Sequence, residues 1–176
     1  MHWRIINPPY IYLCKRSNIK AGMNPVPETI VRPAREADIT AIKKCVGDAF
    51  GKYIERIGKP PAPMLLDYPT HINEGKVWVA ETQGDLCGVL VIFPTEQGFY
   101  LDTIAVSPSF QGLGVGRALL QFAEQEAMRR GFISIYLCTN VKMTENQILY
   151  PKIGYVKYDR CMENGYDRIF YRKQLK

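Results

Sequence analysis

The chain has 176 residues, 47% of them hydrophobic, which is long enough for one domain with a sizeable core and too short for two ordinary ones. Four of its 23 lysines and arginines (Arg4, Lys15, Arg16, Lys20) fall in residues 1–24, which hold no acid, so the net charge of +6 shrinks to 19 bases against 17 acids in the rest. That near balance argues against nucleic acid as the main partner, five cysteines without a C-x-x-C pair argue against a zinc framework and for a reducing, cytoplasmic setting, and the most apolar stretch, 86–93, is far short of a membrane span.

Residues 1–24 set Trp3, Tyr10 and Tyr12 among Pro8-Pro9 and scattered cations, and sustain neither a helical nor a strand period. A loosely ordered extension is expected there, with Met23 as an alternative start and a partner-docking segment as the other reading. Residues 25–176 are expected to form the single domain. Residues 28–34 alternate as a short strand, and 35–38 lead into a helix that aligns Ile39, Ile42 and Val46 and ends at Gly51. Pro60, Pro61 and Pro63 make 52–63 an irregular connection suited to walling a substrate site, and 64–73 predict a second short helix.

Residues 77–81 and 86–93 read as strands joined through Gln83-Gly84-Asp85, and 99–106 as the third strand of the meander. A helix over about 113–130 sets Gly116, Leu119, Leu120, Ala123 and Ala127 on one face, with Arg129-Arg130-Gly131 as its stop. A strand over 132–138, a helix over 143–153 stopped by Gly154, and a hairpin of 155–160 with 168–173 complete the chain. The order β-α-α-β-β-β-α-β-α-β-β predicts an α/β fold with a mixed sheet.

The chemistry concentrates in residues 100–120. Ile104, Ala105 and Val106 end a buried strand, Ser107-Pro108 break it, and Gln111, Gly112, Gly114 and Gly116 stand where a helix begins. Unpaired N–H groups and the positive end of the helix dipole make that turn an anion cradle, most plausibly for phosphate. A dinucleotide fingerprint fails, because Arg117 and Leu119 occupy the positions where a third glycine or alanine belongs. A P-loop fails as well, since Gly51-Lys52, Gly58-Lys59 and Gly75-Lys76 each lack the following Ser or Thr. What survives is Gln-x-x-Gly-x-Gly between a strand and a helix, or a glycine-rich turn with no ligand.

A second constellation lies downstream, where Tyr150 precedes Gly154-Tyr155 by four residues. Together the two motifs resemble the GNAT superfamily of N-acetyltransferases over residues 28–174. The resemblance implies a mixed, largely antiparallel central sheet flanked by helices, with strands splayed apart at a slot for coenzyme A. It implies acetyl-CoA as co-substrate, no metal, and a small-molecule or peptide amine as acceptor, with a homodimer allowed. Gln111, Gly112, Leu113, Gly114, Val115, Gly116 and Arg117 would bind the cofactor, the N–H groups of Leu113 to Gly116 on the pyrophosphate and Gln111 shaping the turn, and the backbone of Ile104, Ala105 and Val106 would pair with the pantetheine arm. An N–H near Ala105 would polarise the acetyl carbonyl, and Tyr150 would protonate the departing thiolate.

For the base, Asp102 shares strand parity with Ile104 and Val106; a solvated strand-start residue is the other reading. Tyr53 and Glu55 are substrate-binding candidates, with Tyr166 and Arg168 as weaker ones. His2 and His71 have no paired nucleophile, which disfavours an acyl-enzyme and favours direct transfer to a primary amine in a ternary complex. The family often places Asn seven residues before the helix Tyr; Met143 stands there, flanked by Asn140 and Asn146, and Asn146 is the candidate for the coenzyme A arm. A non-catalytic acyl-CoA-binding module is the competing function, and a nucleic-acid binder the third.

Overall fold

The computed structural model describes residues 2–6, 11–15 and 29–176. Its strands are β1 (His2–Ile6), β2 (Ile11–Lys15), β3 (Thr29–Pro33), β4 (Val77–Thr82), β5 (Asp85–Thr95), β6 (Gly98–Val106), β7 (Ser134–Asn140), β8 (Val156–Glu163) and β9 (Tyr166–Gln174). Helices α1 (Ile39–Phe50), α2 (Ile54–Ile57) and α3 (Tyr68–Asn73) separate β3 from β4, α4 (Val115–Arg129) joins β6 to β7, and α5 (Thr144–Lys152) joins β7 to β8. Within the span expected to be loosely ordered, the described residues 2–6 and 11–15 form two strands at one end of the sheet, β1 at its edge, and Glu28 of the expected 28–34 strand lies outside the described residues.

One mixed sheet runs in the order β1-β2-β3-β4-β5-β6-β7-β9-β8. Every pairing is antiparallel except β6 with β7, where α4 supplies the crossover that a parallel pair requires. Strand alternation divides the core between the two faces. Trp78 and Ala80 pack on the α4 side with Leu119, Phe122 and Ala123, while Val77 and Val79 pack with Ile42, Val46 and Tyr68 of α1 and α3. Among the described residues no helix is long and apolar enough to cross a membrane.

Three local features position the cleft. The connection after α1 is less irregular than its prolines predict, because the prolines begin only at Pro60 and leave room for α2, which stops at Gly58 in a left-handed conformation, φ 83°. Parallel pairing of β6 with β7 covers only Phe99, Tyr100 and Leu101 against Ile135, Tyr136 and Leu137, so the strands part beyond it. On the other edge of β6, consecutive residues Val91 and Ile92 of β5 face Thr103 and Leu101, which leaves Asp102 as the extra residue of a β-bulge.

That bulge corrects the expected parity of Asp102. Leu101, Ile104 and Val106 pack toward α4, Ala105 packs toward α1, and Asp102 is the residue that changes the alternation.

Candidate active site

A cleft of about 900 Å³ opens where β6 and β7 diverge. Its walls carry Asp102, Ile104, Ala105 and Val106 of β6, Gln111, Gly116 and Arg117 of the turn, Cys138 of β7, and Asn146 and Tyr150 of α5. Two motifs separated by more than thirty residues therefore meet across one space. Tyr53 lines it too, whereas Glu55 does not: α2 turns Glu55 outward to solvent, because one helical turn cannot direct both residues inward. Tyr166 and Arg168 of β9 reach the cleft from the far side.

The turn is built as an anion-facing helix start. Gly112 and Gly114 are left-handed, φ 78° and 91°, conformations that disfavour any residue with a Cβ. The first helical bond runs from Ala118 N–H to Gly114 O at 3.0 Å, so the N–H groups of Val115, Gly116 and Arg117 lie ahead of it. Gln111 Nε2 donates to Val106 O at 3.1 Å and ties the turn to the strand end. The space above is open: a Cβ on Gly112 would meet nothing within 4 Å, and one on Gly116 only Val106 Cγ2 at 3.5 Å. Leu113 is exposed and Val115 buries its side chain in the core, so both present only backbone to the turn.

Tyr150 is 4% exposed, with the rings of Tyr155 and Tyr171 at 5.7 and 5.6 Å. Burial, followed by the proximity of Cys138 and Tyr53, pushes its hydroxyl well above the usual value and keeps the proton on oxygen at neutral pH. Burial likewise raises Asp102 above the usual 3.8, against the pull of a hydrogen bond from Thr103 Oγ1 at 2.8 Å and of the His71 and Arg168 charges. Asn146 directs its amide inward, donating to Thr139 Oγ1 at 2.9 Å, with Met143 Sδ at 3.7 Å. Met143 fills the position where the family often has Asn, and packs in the α1-side core.

Sequence reading missed a polar row across the splay. Tyr100 Oη lies 3.1 Å from Cys138 Sγ, and Arg168 Nη1 donates to the same sulfur at 3.4 Å. Burial raises the Cys138 thiol, and Tyr100 and Arg168 oppose that. Even-numbered positions on neighbouring strands carried the signal, but strand order had to be known before they could be aligned. Among the described residues no group of three or more His, Cys, Asp and Glu side chains is arranged to hold a metal ion.

The Acetyltransferase (GNAT) domain family matches residues 73–157, which contain both motifs. Probable N-acetyltransferase 14 of Xenopus tropicalis is 37% identical over 87 residues, 48% of this chain and 42% of that protein. The chain thus spans less than half the length of the curated relatives it matches. Among solved structures, a GNAT-family acetyltransferase from Streptococcus agalactiae superposes with a TM-score of 0.69 at 20% identity, covering 84% of this chain and 96% of that one. PaiA N-acetyltransferase from Thermoplasma acidophilum, solved with coenzyme A, has a TM-score of 0.66 at 14% identity and coverages of 83% and 98%. The glycine turn and Tyr150 thus lie in a segment, residues 73–157, that matches the Acetyltransferase (GNAT) domain family, and the chain shares its fold with solved GNAT-family acetyltransferases.

Proposed function

We propose that this protein transfers an acetyl group from acetyl-CoA directly to a primary amine, with both substrates bound in the cleft. The observation that carries the reading is the parting of β6 from β7 beyond Leu101, which leaves the edge of Ile104, Ala105 and Val106 facing a space between the glycine turn and Tyr150. When bound, acetyl-CoA supplies the activated thioester. The presence of coenzyme A in the Thermoplasma neighbour supports this assignment.

Each group on the cleft wall then has a task. The N–H groups of Val115, Gly116 and Arg117 and the dipole of α4 hold the pyrophosphate, with Gln111 keeping the turn against the strand. The β6 edge pairs with the pantetheine arm, and an N–H near Ala105 donates to the acetyl carbonyl as negative charge gathers on its oxygen. Asp102 accepts the amine proton, directly or through one water, and the elevated pKa brings it closer to its task than an exposed carboxylate. Tyr150 donates to the leaving sulfur. Because its hydroxyl is a weaker acid than a thiol, about 10 against about 8.5 before burial widens the gap, it stabilises the developing thiolate through a hydrogen bond more than through full transfer.

An amine panel scored by release of free thiol from acetyl-CoA tests the reading. Release that depends on amine is expected; binding of acetyl-CoA without release for any amine would make the chain an acyl-CoA-binding module instead.

A further inference from the structure

Beyond Tyr150 the cleft continues toward β9 and the proline connection, and two opposite charges stand in that end. Asp102 makes one hydrogen bond among the described residues, accepted on Oδ2 from Thr103, so most of the lone pairs of this half-buried carboxylate are unspent. The half-buried Arg168 donates one hydrogen bond, from Nη1 to Cys138 Sγ at 3.4 Å, and the same nitrogen forms an ion pair with Glu163 Oε2 at 3.0 Å. Nη2 and Nε donate to no described residue. Glu163 is a loose partner, its side chain 48% exposed.

Strand register sets the spacing. Asp102 follows Leu101, the partner of Leu137 on β7; the next residue there, Cys138, faces Phe170 on β9, two positions from Arg168. The carboxylate and the guanidinium therefore rise from strands that flank β7, one on each side of it, beyond the point where β6 stops pairing. Cys138 and Tyr100 lie between them, and Tyr53, Pro61 and Leu66 supply apolar wall.

An amine alone would satisfy Asp102 and leave the open edge of Arg168 unused. A molecule with an ammonium at one end and a carboxylate at the other satisfies both, since the guanidinium fork matches a carboxylate in two parallel bonds. We propose that the acceptor is a free amino acid or amino-acid-like molecule, its amine at Asp102, its carboxylate at Arg168 and an apolar body against Tyr53, Pro61 and Leu66. This rests on the acetyl-transfer reading above. It also disfavours the amino terminus of a long polypeptide, whose α-carboxylate is replaced by an amide.

The test compares phenylalanine and leucine with phenethylamine and isoamylamine, which lack only the carboxylate. Binding to the full chain saturated with coenzyme A is measured by calorimetry, and thiol release with acetyl-CoA is measured in parallel. The intact protein should prefer the carboxylated member of at least one pair. Arg168→Met should cut that preference by about 10- to 100-fold, the range for a hydrogen bond between charged groups, and Arg168→Lys should keep part of it. Preference is a ratio within one preparation, so a partly unfolded variant still reports it. Equal binding within both pairs, no binding of either amino acid, or a preference that survives Arg168→Met would overturn the proposal. Amino-acid binding without thiol release would instead remove the transferase reading and leave the carboxylate site standing.

Discussion

At the scale of single residues, two titratable groups in the cleft shift in the same direction with different consequences. Burial raises the Tyr150 hydroxyl, so it is protonated throughout the working range. Tyr150→Phe should lower kcat by about 10- to 100-fold while leaving the Kd for coenzyme A nearly unchanged, the pattern of a contact made only as the sulfur leaves. A parallel loss of coenzyme A affinity would make Tyr150 a packing residue. For Asp102, a folded-state pKa above 3.8 means that the fold disfavours the charged form. Its contribution to stability is most favourable below the unfolded value and declines as pH rises through the folded one. Asp102→Asn should therefore raise the urea midpoint relative to the parent more at about pH 7 than at about pH 3, while thiol release falls by about 10²- to 10⁴-fold. An equal midpoint difference at both values would show that the carboxyl is solvated.

Tyr150 and Gln111 were legible in the sequence because each belongs to a short motif with fixed spacing. Glu55 was misplaced because its direction depends on how α2 is cut off by Gly58, a tertiary matter. Arg168 was only a weak candidate, since the role proposed for it depends on Asp102, which is 66 positions away in the chain and two strands away in the sheet.

At the scale of elements, α4 shows what periodicity captures and what it leaves out. The apolar stripe through Leu119, Ala123 and Ala127 is buried as expected, but Phe122 and Glu126 are buried as well. Glu126 tolerates this because Arg129 Nε and Arg130 Nε each donate to its carboxylate at 2.7 Å, and these bonds outweigh the cost of burial and keep it ionised. A charge looks solvent-facing in a periodicity plot when its partners lie one turn away on the same helix. Gly88 in β5 is the complementary case, a glycine whose reason is the helix above it. A Cβ there would stand 2.8 Å from Leu119 Cδ1 and 3.2 Å from both Ala105 O and Val115 Cγ1. Gly88→Val should cost about 1–3 kcal/mol or more by urea denaturation, the range for overpacking a tight core. Because the displaced element carries the glycine turn, coenzyme A affinity should fall with it; full stability in the variant would show that α4 can shift without loss.

At the scale of the whole molecule, the β-meander, the crossover helix and the final hairpin were readable because each is punctuated by glycine or a sharp change of period: Gly84 in the β4–β5 turn, Gly131 after α4, and Gly165 before β9. What could not be read was the residue at which β6 stops pairing with β7, since that depends on the register of strands far apart in the chain. Binding to the native state couples this geometry to global stability. Acetyl-CoA at about 100 times its Kd should stabilise the fold by about 2.7 kcal/mol and raise Tm. Gly114→Glu sets a side chain at φ 91° and a negative charge beside the anion cradle. That variant should lose the ligand-induced rise; a rise of the same size would place the coenzyme elsewhere.

The bulge in β6 separates architecture from activity within one strand. With Asp102 removed, Leu101 and Thr103 become consecutive opposite Ile92 and Val91, and the alternation between the two cores continues unbroken through Ile104 and Ala105. Asp102 is in this sense an insertion that the packing does not need. A chain lacking that single codon should still assemble its sheet but lose the proton acceptor proposed for the cleft, so the smallest deletion available in β6 should yield a folded chain with impaired thiol release instead of an unfolded one.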